Sequence, residues 1–180
     1  MCISSFRRLA CLAVGPASPR TLGRMKLHGP VPDASATAER ILRTLPDWFG
    51  IEESLLEYVQ DTRRYHTFVA IEPSGREVAF LTLRQHFERT WEVHCIAVEH
   101  SARNQGIGKA LHQHVEDWLV EQGASFLQVK TMSAASGSSE YEETREFYLA
   151  IGYQPLEEFP LLWGPQLPVL QLVKALPHAA

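Results

Sequence analysis

The sequence predicts a single α/β (α+β) domain in which a mixed sheet carries helices on its faces. Three observations lead there. The chain has 180 residues, 45% of them hydrophobic and 21% charged, which suits one unit with a sizeable core. Short apolar runs flanked by turn residues are interleaved with segments that repeat at helical spacing. Finally, helices come first, then strands in hairpin connection, then strand–helix–strand–helix–strand, an order that builds a mixed sheet.

Residues 1–24 stand apart from the rest. Arg7, Arg8, Arg20 and Arg24 arrive with no acid before Asp33, and a short apolar run, 9–14, precedes Gly15-Pro16. The outline resembles a secretory signal, but the run is shorter than the roughly 7–15 residues such a segment uses. We read 1–24 as a disordered tail, or as a start codon placed too early with Met25 as the true start. Residues 25–180 are the expected domain.

Along that domain, 25–31 reads as a short first strand. Asp33 or Ser35 can cap a first helix, on which Ala38, Ile41, Leu42 and Leu45 fall at i, i+3, i+4 and i+7. Pro46 should end it, because proline disfavours helix in the residue before it. Ile51, Leu55 and Val59 share one face of a second helix over about 51–62. Strands at 67–71 and 78–83 flank a turn at 72–75, and another strand covers 91–98. Ile107, Leu111, Val115, Trp118 and Leu119 form a helical stripe closed by Gly123. A strand at 126–131 and a loop of small residues at 133–139 follow. Thr144, Phe147, Tyr148 and Ile151 repeat the helical spacing up to Gly152. The stretch 155–168 is rich in proline and aromatic residues and receives no element, and 169–173 is a closing strand.

Composition excludes several functions. A net charge of −4 argues against a nucleic-acid binder, which would show a basic face. Cys2, Cys11 and Cys95 are an odd count without CxxC spacing, which fits neither a disulfide framework nor a zinc site and suits a reducing cytoplasm. No metal is expected. No apolar run approaches the roughly 20 residues of a membrane helix, so no membrane partner is expected.

The segment 96–111 carries the chemistry. A strand ends at Val98, and Gly106 and Gly108 open a long amphipathic helix. Glycines there allow a tight turn and close approach of a ligand. The first helical amides have no partner within the helix and, with its dipole, form an anion site, to which Lys109 adds charge. This predicts a phosphate or pyrophosphate over Arg103, Asn104, Gln105, Gly106, Ile107, Gly108 and Lys109. The pattern is neither GxxxxGK[ST] nor GxGxxG. Taken alone, the two glycines equally fit a turn that merely packs well.

Arg103-x-x-Gly106-x-Gly108 after a strand ending Ala97-Val98 resembles the signature of the GNAT acetyltransferase superfamily. The segment Phe147-Tyr148-Leu149-Ala150-Ile151-Gly152-Tyr153 is similar to that family's second hallmark, and the gap between the two matches. The resemblance covers about 25–174. It implies a mixed, mostly antiparallel sheet of six or seven strands, splayed between the fourth and fifth. Acetyl-CoA as cosubstrate would lie in that cleft, along Ile96, Ala97, Val98 and Phe147, with its pyrophosphate on the loop amides. Many relatives place an asparagine against the pantetheine arm seven residues before the tyrosine; Tyr141 stands there instead, which puts that contact in doubt.

Acyl transfer to an amine needs deprotonation of the ammonium, a polarised carbonyl and reprotonation of the leaving thiolate. Tyr148 is similar to the family tyrosine that protonates the thiolate, and a phenol is protonated at neutral pH; it could equally be an aromatic on a buried helix face. Glu92 and His94 are the candidate bases, since the family uses a glutamate or histidines at these spacings and histidine titrates near neutrality. An ion-pair partner and a sheet histidine are their ordinary alternatives, and ordered water serves in many relatives. Strand alternation puts Glu92, His94, Ile96 and Val98 on one face and Cys95 on the other, so Cys95 reads as packing.

The acceptor walls of this fold would contain Asp47, Trp48, Glu52 and Glu53, then Glu157, Glu158, Phe159 and Trp163. Acids with aromatics suit a cationic amine, although solvated surface charge explains the same acids. The resemblance implies an N-acetyltransferase for a small-molecule primary amine, with a homodimer left open. Protein lysine or N-terminal acetylation and a non-catalytic coenzyme A sensor are the alternatives.

Overall fold

The computed structural model of the protein describes residues 25–177; the readings made on 1–24 lie outside the described residues. The elements are β1 (Lys26–Val31), α1 (Ser35–Leu42), α2 (Pro46–Phe49), α3 (Glu52–Asp61), β2 (His66–Ile71), β3 (Glu77–Phe87), β4 (Thr90–Val98), α4 (Ile107–Glu121), β5 (Phe126–Met132), α5 (Ser139–Ala150), β6 (Gln154–Phe159) and β7 (Val169–Ala175). The strands form one seven-stranded sheet in the order β1-β2-β3-β4-β5-β7-β6.

Every neighbouring pair is antiparallel except β4 and β5. That parallel ladder is short, joining Thr90 to Phe126 and ending at Val93 opposite Val129. Beyond it β4 stays paired with β3 and β5 with β7. The two strands therefore part, and the splay between the fourth and fifth strands is present.

Helices cover both faces. On one, Ile107, Leu111, Val115 and Leu119 of α4 pack with Phe68, Leu81, Leu127, Val129 and Leu172, and Tyr148 and Tyr153 join them. On the other, Ala38, Ile41 and Leu42 of α1 and Leu55 and Val59 of α3 cover Val69, Phe80, Cys95 and Ala97. Each fully buried Leu or Phe contributes roughly 1.5–3 kcal/mol, so the apolar spacings seen in the sequence are what hold the helices to the sheet.

Three local expectations need correction. Helix α1 stops at Leu42, where the Thr44 hydroxyl donates to the Ile41 carbonyl at 2.7 Å. Pro46 instead opens α2, in the first turn where a missing N–H costs nothing. The proline-rich stretch contains β6, an edge strand whose Leu156, Glu157 and Glu158 are all exposed. It has no buried face to produce alternation, and Pro155 is tolerated at the irregularity in its ladder with β7.

The third correction bears on the site. Thr82 pairs with Cys95 but Leu83 pairs with Val93, so His94 is an inserted residue. Such a bulge reverses the alternation beyond it. Val93 packs under α4, whereas Cys95 packs under α1 and α3. Glu92, on the reverse of Val93, thus shares a face with Cys95. Ile96 and Val98 lie on the α4 side with Val93. The single shared face expected for Glu92, His94, Ile96 and Val98 does not exist.

Candidate active site

The exit of β4 is anchored before the loop begins. Buried Glu99 accepts from Arg40 Nη1 at 2.8 Å and from Arg76, tying the strand end to α1 and to the β2–β3 turn. One 3₁₀ turn (His100–Ala102) follows, then Asn104 at φ 60° and Gly106 at φ 77°. Gly106 is the residue at which α4 starts, and no side chain caps the helix there. Its left-handed conformation is the reason for a glycine. At Gly108 an added Cβ would lie 3.4 Å from Val98 and 3.8 Å from the Phe147 ring. The helix start is thus closed on by both hydrophobic residues while its first amides remain free of side-chain caps. Such a cradle fits an anion.

Arg103, α2 and α5 meet beside this loop. The Arg103 guanidinium sits 4.4 Å from the Trp48 ring centroid, and its Nη2 is 3.2 Å from Glu143. Trp48 Nε1 donates to the Thr144 hydroxyl at 3.2 Å, and the Tyr141 hydroxyl donates to the Trp48 carbonyl at 3.1 Å. Tyr141, at the family's asparagine position, ties α5 to α2.

Tyr148 is 3% exposed on α5, with the rings of Phe147 and Tyr153 at 5.3 and 5.2 Å. Burial pushes its phenol pKa well above the ordinary value, and Cys95 and Tyr58 nearby push it the same way. A group held protonated in this way can donate a proton but does not ionise at neutral pH.

The two candidate bases lie on the α3 side in different company. Glu92 accepts from Lys130 Nζ at 2.8 Å and contacts His86 Nε2. Burial raises its pKa, but the Lys130 and His86 partners outweigh burial and hold the carboxyl below the usual range. His94 Nε2 is 2.9 Å from Asp61 Oδ2, and its ring lies 5.3 Å from both Tyr58 and Tyr65. A buried carboxylate on one ring nitrogen fixes it as the donor and leaves the other to accept a proton. Cys95 is deeply buried, and burial pushes its thiol pKa far up. It carries no reactive thiolate.

The structure brings together Arg103 to Lys109, Tyr141, Phe147 and Tyr148 around the splay. Glu92 and His94 form a wall on the opposite face. Asp47, Glu52, Glu53, Glu157, Glu158 and Trp163 are exposed, and Glu52 is taken by Arg43 at 2.9 Å. The sequence reading missed Asp61 and Lys130 as partners of His94 and Glu92, because strand and helix periodicities do not report which charges meet across elements. Among the described residues no His, Cys, Asp and Glu group is placed to hold a metal ion. No helix there is long and apolar enough to cross a membrane.

The Acetyltransferase (GNAT) family model matches residues 36–153. The chain belongs to the GNAT acetyltransferase family. It is accordingly an acyltransferase, and the family's acyl donor is acetyl-CoA. No curated protein matches the chain in sequence. Solved structures share its fold at low identity. A GNAT-family protein from Desulfovibrio desulfuricans has a TM-score of 0.74 at 16% identity, covering 85% of this chain and 99% of its own. An aminoglycoside 6'-N-acetyltransferase complexed with coenzyme A gives 0.67 at 20%, covering 86% and 99%. The ribosomal-protein-S18-alanine N-acetyltransferase from Escherichia coli gives 0.68 at 17%, covering 87% and 96%.

Proposed function

We propose that this GNAT protein acetylates a primary amine of a small molecule in the cytoplasm, by direct attack of the amine on acetyl-CoA. The observation that carries the reading is the pairing of an uncapped, glycine-started α4 with a buried, protonated Tyr148 at the β4–β5 splay. Acetyl-CoA supplies the activated acetyl thioester. The loop 103–109 would hold its pyrophosphate on backbone amides, helped by Arg103 and Lys109, and Ile96, Ala97, Val98, Phe147 and Tyr141 would line the arm.

Tyr148 is assigned to protonate the leaving thiolate sulfur. For the base, His94 is better suited than Glu92: Asp61 orients the imidazole, whereas the Glu92 carboxylate is stabilised by Lys130 and His86 and is correspondingly weak. Glu92 then helps to draw a cationic amine to that wall.

A second reading, acetylation of a protein amine, is favoured by the likeness to the S18-alanine enzyme, whose TM-score of 0.68 stands beside 0.67 for the aminoglycoside enzyme. Release of thiol from acetyl-CoA, followed across a panel of aminoglycosides, polyamines, amino acids and peptides, separates the two. Turnover confined to small amines is expected. Turnover with peptides alone supports the second reading, and binding without turnover on any amine overturns both.

A further inference from the structure

Thr131 stands where β5 leaves β4. The ladder between them ends at Val129, so Thr131 keeps β7 as its neighbour, opposite Leu170. Alternation puts it on the face of Leu127 and Val129, which belong to the core beneath α4. Helix α5 roofs this end of the strand: Arg145 Nη1 donates to the Met132 carbonyl at 3.0 Å, and Tyr148, three residues on, is buried on the same side.

Thr131 is 3% exposed and its hydroxyl has no hydrogen-bond partner. Other buried threonines differ. Thr62 donates to the Val59 carbonyl at 2.7 Å, and Thr67 and Thr82 share a bond of 3.1 Å. A buried hydroxyl without a partner is a cost that valine, of the same shape, would not carry. A ligand group can remove that cost. A molecule held by its pyrophosphate on the α4 start, with its thioester at Tyr148, must lead a chain through the splay past Thr131. In coenzyme A that chain is the pantetheine arm, whose two amides need partners once they are out of water.

We infer that the Thr131 hydroxyl is a hydrogen-bonding partner for an amide of the pantetheine arm, so that β5 as well as β4 grips the cosubstrate. This rests on the acetyl-CoA reading above. It needs no acceptor to be known, because binding alone reports it.

The test titrates wild type, Thr131→Val and Thr131→Ser by calorimetry with two probes: acetyl-CoA, and adenosine 3'-phosphate 5'-diphosphate, which keeps the pyrophosphate and lacks the arm. Loss of one hydrogen bond should raise the Kd of Thr131→Val for acetyl-CoA by about 2–13-fold. Its Kd for the nucleotide should stay at the wild-type value, and its melting temperature should hold or rise. Thr131→Ser should bind both probes as wild type does. Should Thr131→Val not fold, Thr131→Ala replaces it in the same comparison. Equal acetyl-CoA affinity in wild type and the hydroxyl-less variant overturns the inference while leaving the acetyl-CoA reading intact. Equal weakening for both probes also overturns it, since that reports a distorted loop. A wild type that binds neither probe overturns the acetyl-CoA reading itself, and this inference with it.

Discussion

Burial acts on Tyr148 and Glu92 alike, raising both pKa values, and company is what separates them. For Tyr148, Cys95 and Tyr58 push the same way as burial and the phenol stays protonated; Glu92 has Lys130 and His86 and stays ionised. For Tyr148 the expected result is a loss of turnover. Tyr148→Phe keeps the ring in the core and removes the proton, and general-acid work contributes about 10²–10⁴-fold. The turnover number should fall on that scale while the KM for acetyl-CoA moves little. Retention of more than about half of the wild-type turnover would return Tyr148 to packing, where no general-acid loss is expected. For Glu92 the expected result is in stability. Its folded pKa lies below the ordinary 4.5, so its contribution is present above that value and is lost as pH falls through the folded pKa. Glu92→Gln should melt below wild type near neutrality, because Lys130 loses its ionised partner. The two melting curves should converge on acidification from about pH 7 towards about pH 3. A gap in melting temperature that stays constant over this range would show that the carboxylate's charge is not what stabilises the fold.

At the scale of elements, what the sequence made legible is what repeats. The α4 stripe comes from residues that face one core, and the unbroken apolar runs of β2 and β3 come from strands buried on both faces, so each pattern marks its own element. The glycine turn into α4 was legible for a different reason: the doubled glycine at a helix start serves a local backbone need, met at Gly106 by φ 77°. The His94 bulge was not legible, because an inserted residue leaves no trace in composition and Trp91, Val93, Cys95 and Ala97 still alternate as a sequence. Strand β6 was hidden for the opposite reason, having no buried side chains to alternate. The contact of Trp48 with Arg103 depends on tertiary placement of a one-turn helix. The loop itself yields a sharp test. Gly108→Asp adds a Cβ at ordinary contact distance from Val98 and Phe147, and an acid in a first helical turn suits the helix dipole. The melting temperature should therefore change little. The same carboxylate would occupy the proposed anion site, so the Kd for acetyl-CoA should rise about tenfold or more, the equivalent of 1.4 kcal/mol. An unchanged Kd by calorimetry in a folded variant would mean that the pyrophosphate is held elsewhere.

On the proposed function, the sheet as a whole divides the chemistry between its two faces. The α4 start, Phe147 and Tyr148 lie with the core beneath α4, whereas Glu92, His94 and Asp61 lie on the α3 side. The splay, where the β4–β5 ladder ends at Val93 and Val129, lies between the two sides. A donor gripped from one face and an amine deprotonated on the other can meet there without passing the acetyl group to the protein first. Among the described residues the single cysteine does not invite such a detour either. Cys95, the one cysteine among the described residues, is buried with its thiol pKa pushed far up, and a thiol in that state is a poor nucleophile. Direct attack, as proposed, requires both substrates to be bound together before transfer. Initial rates measured while both concentrations are varied should give intersecting double-reciprocal lines. Protein incubated with radiolabelled acetyl-CoA in the absence of amine, then denatured and separated, should retain no label. Parallel lines, or a stoichiometric acetyl group left on the chain, would indicate a covalent intermediate of the ping-pong type and would overturn direct attack.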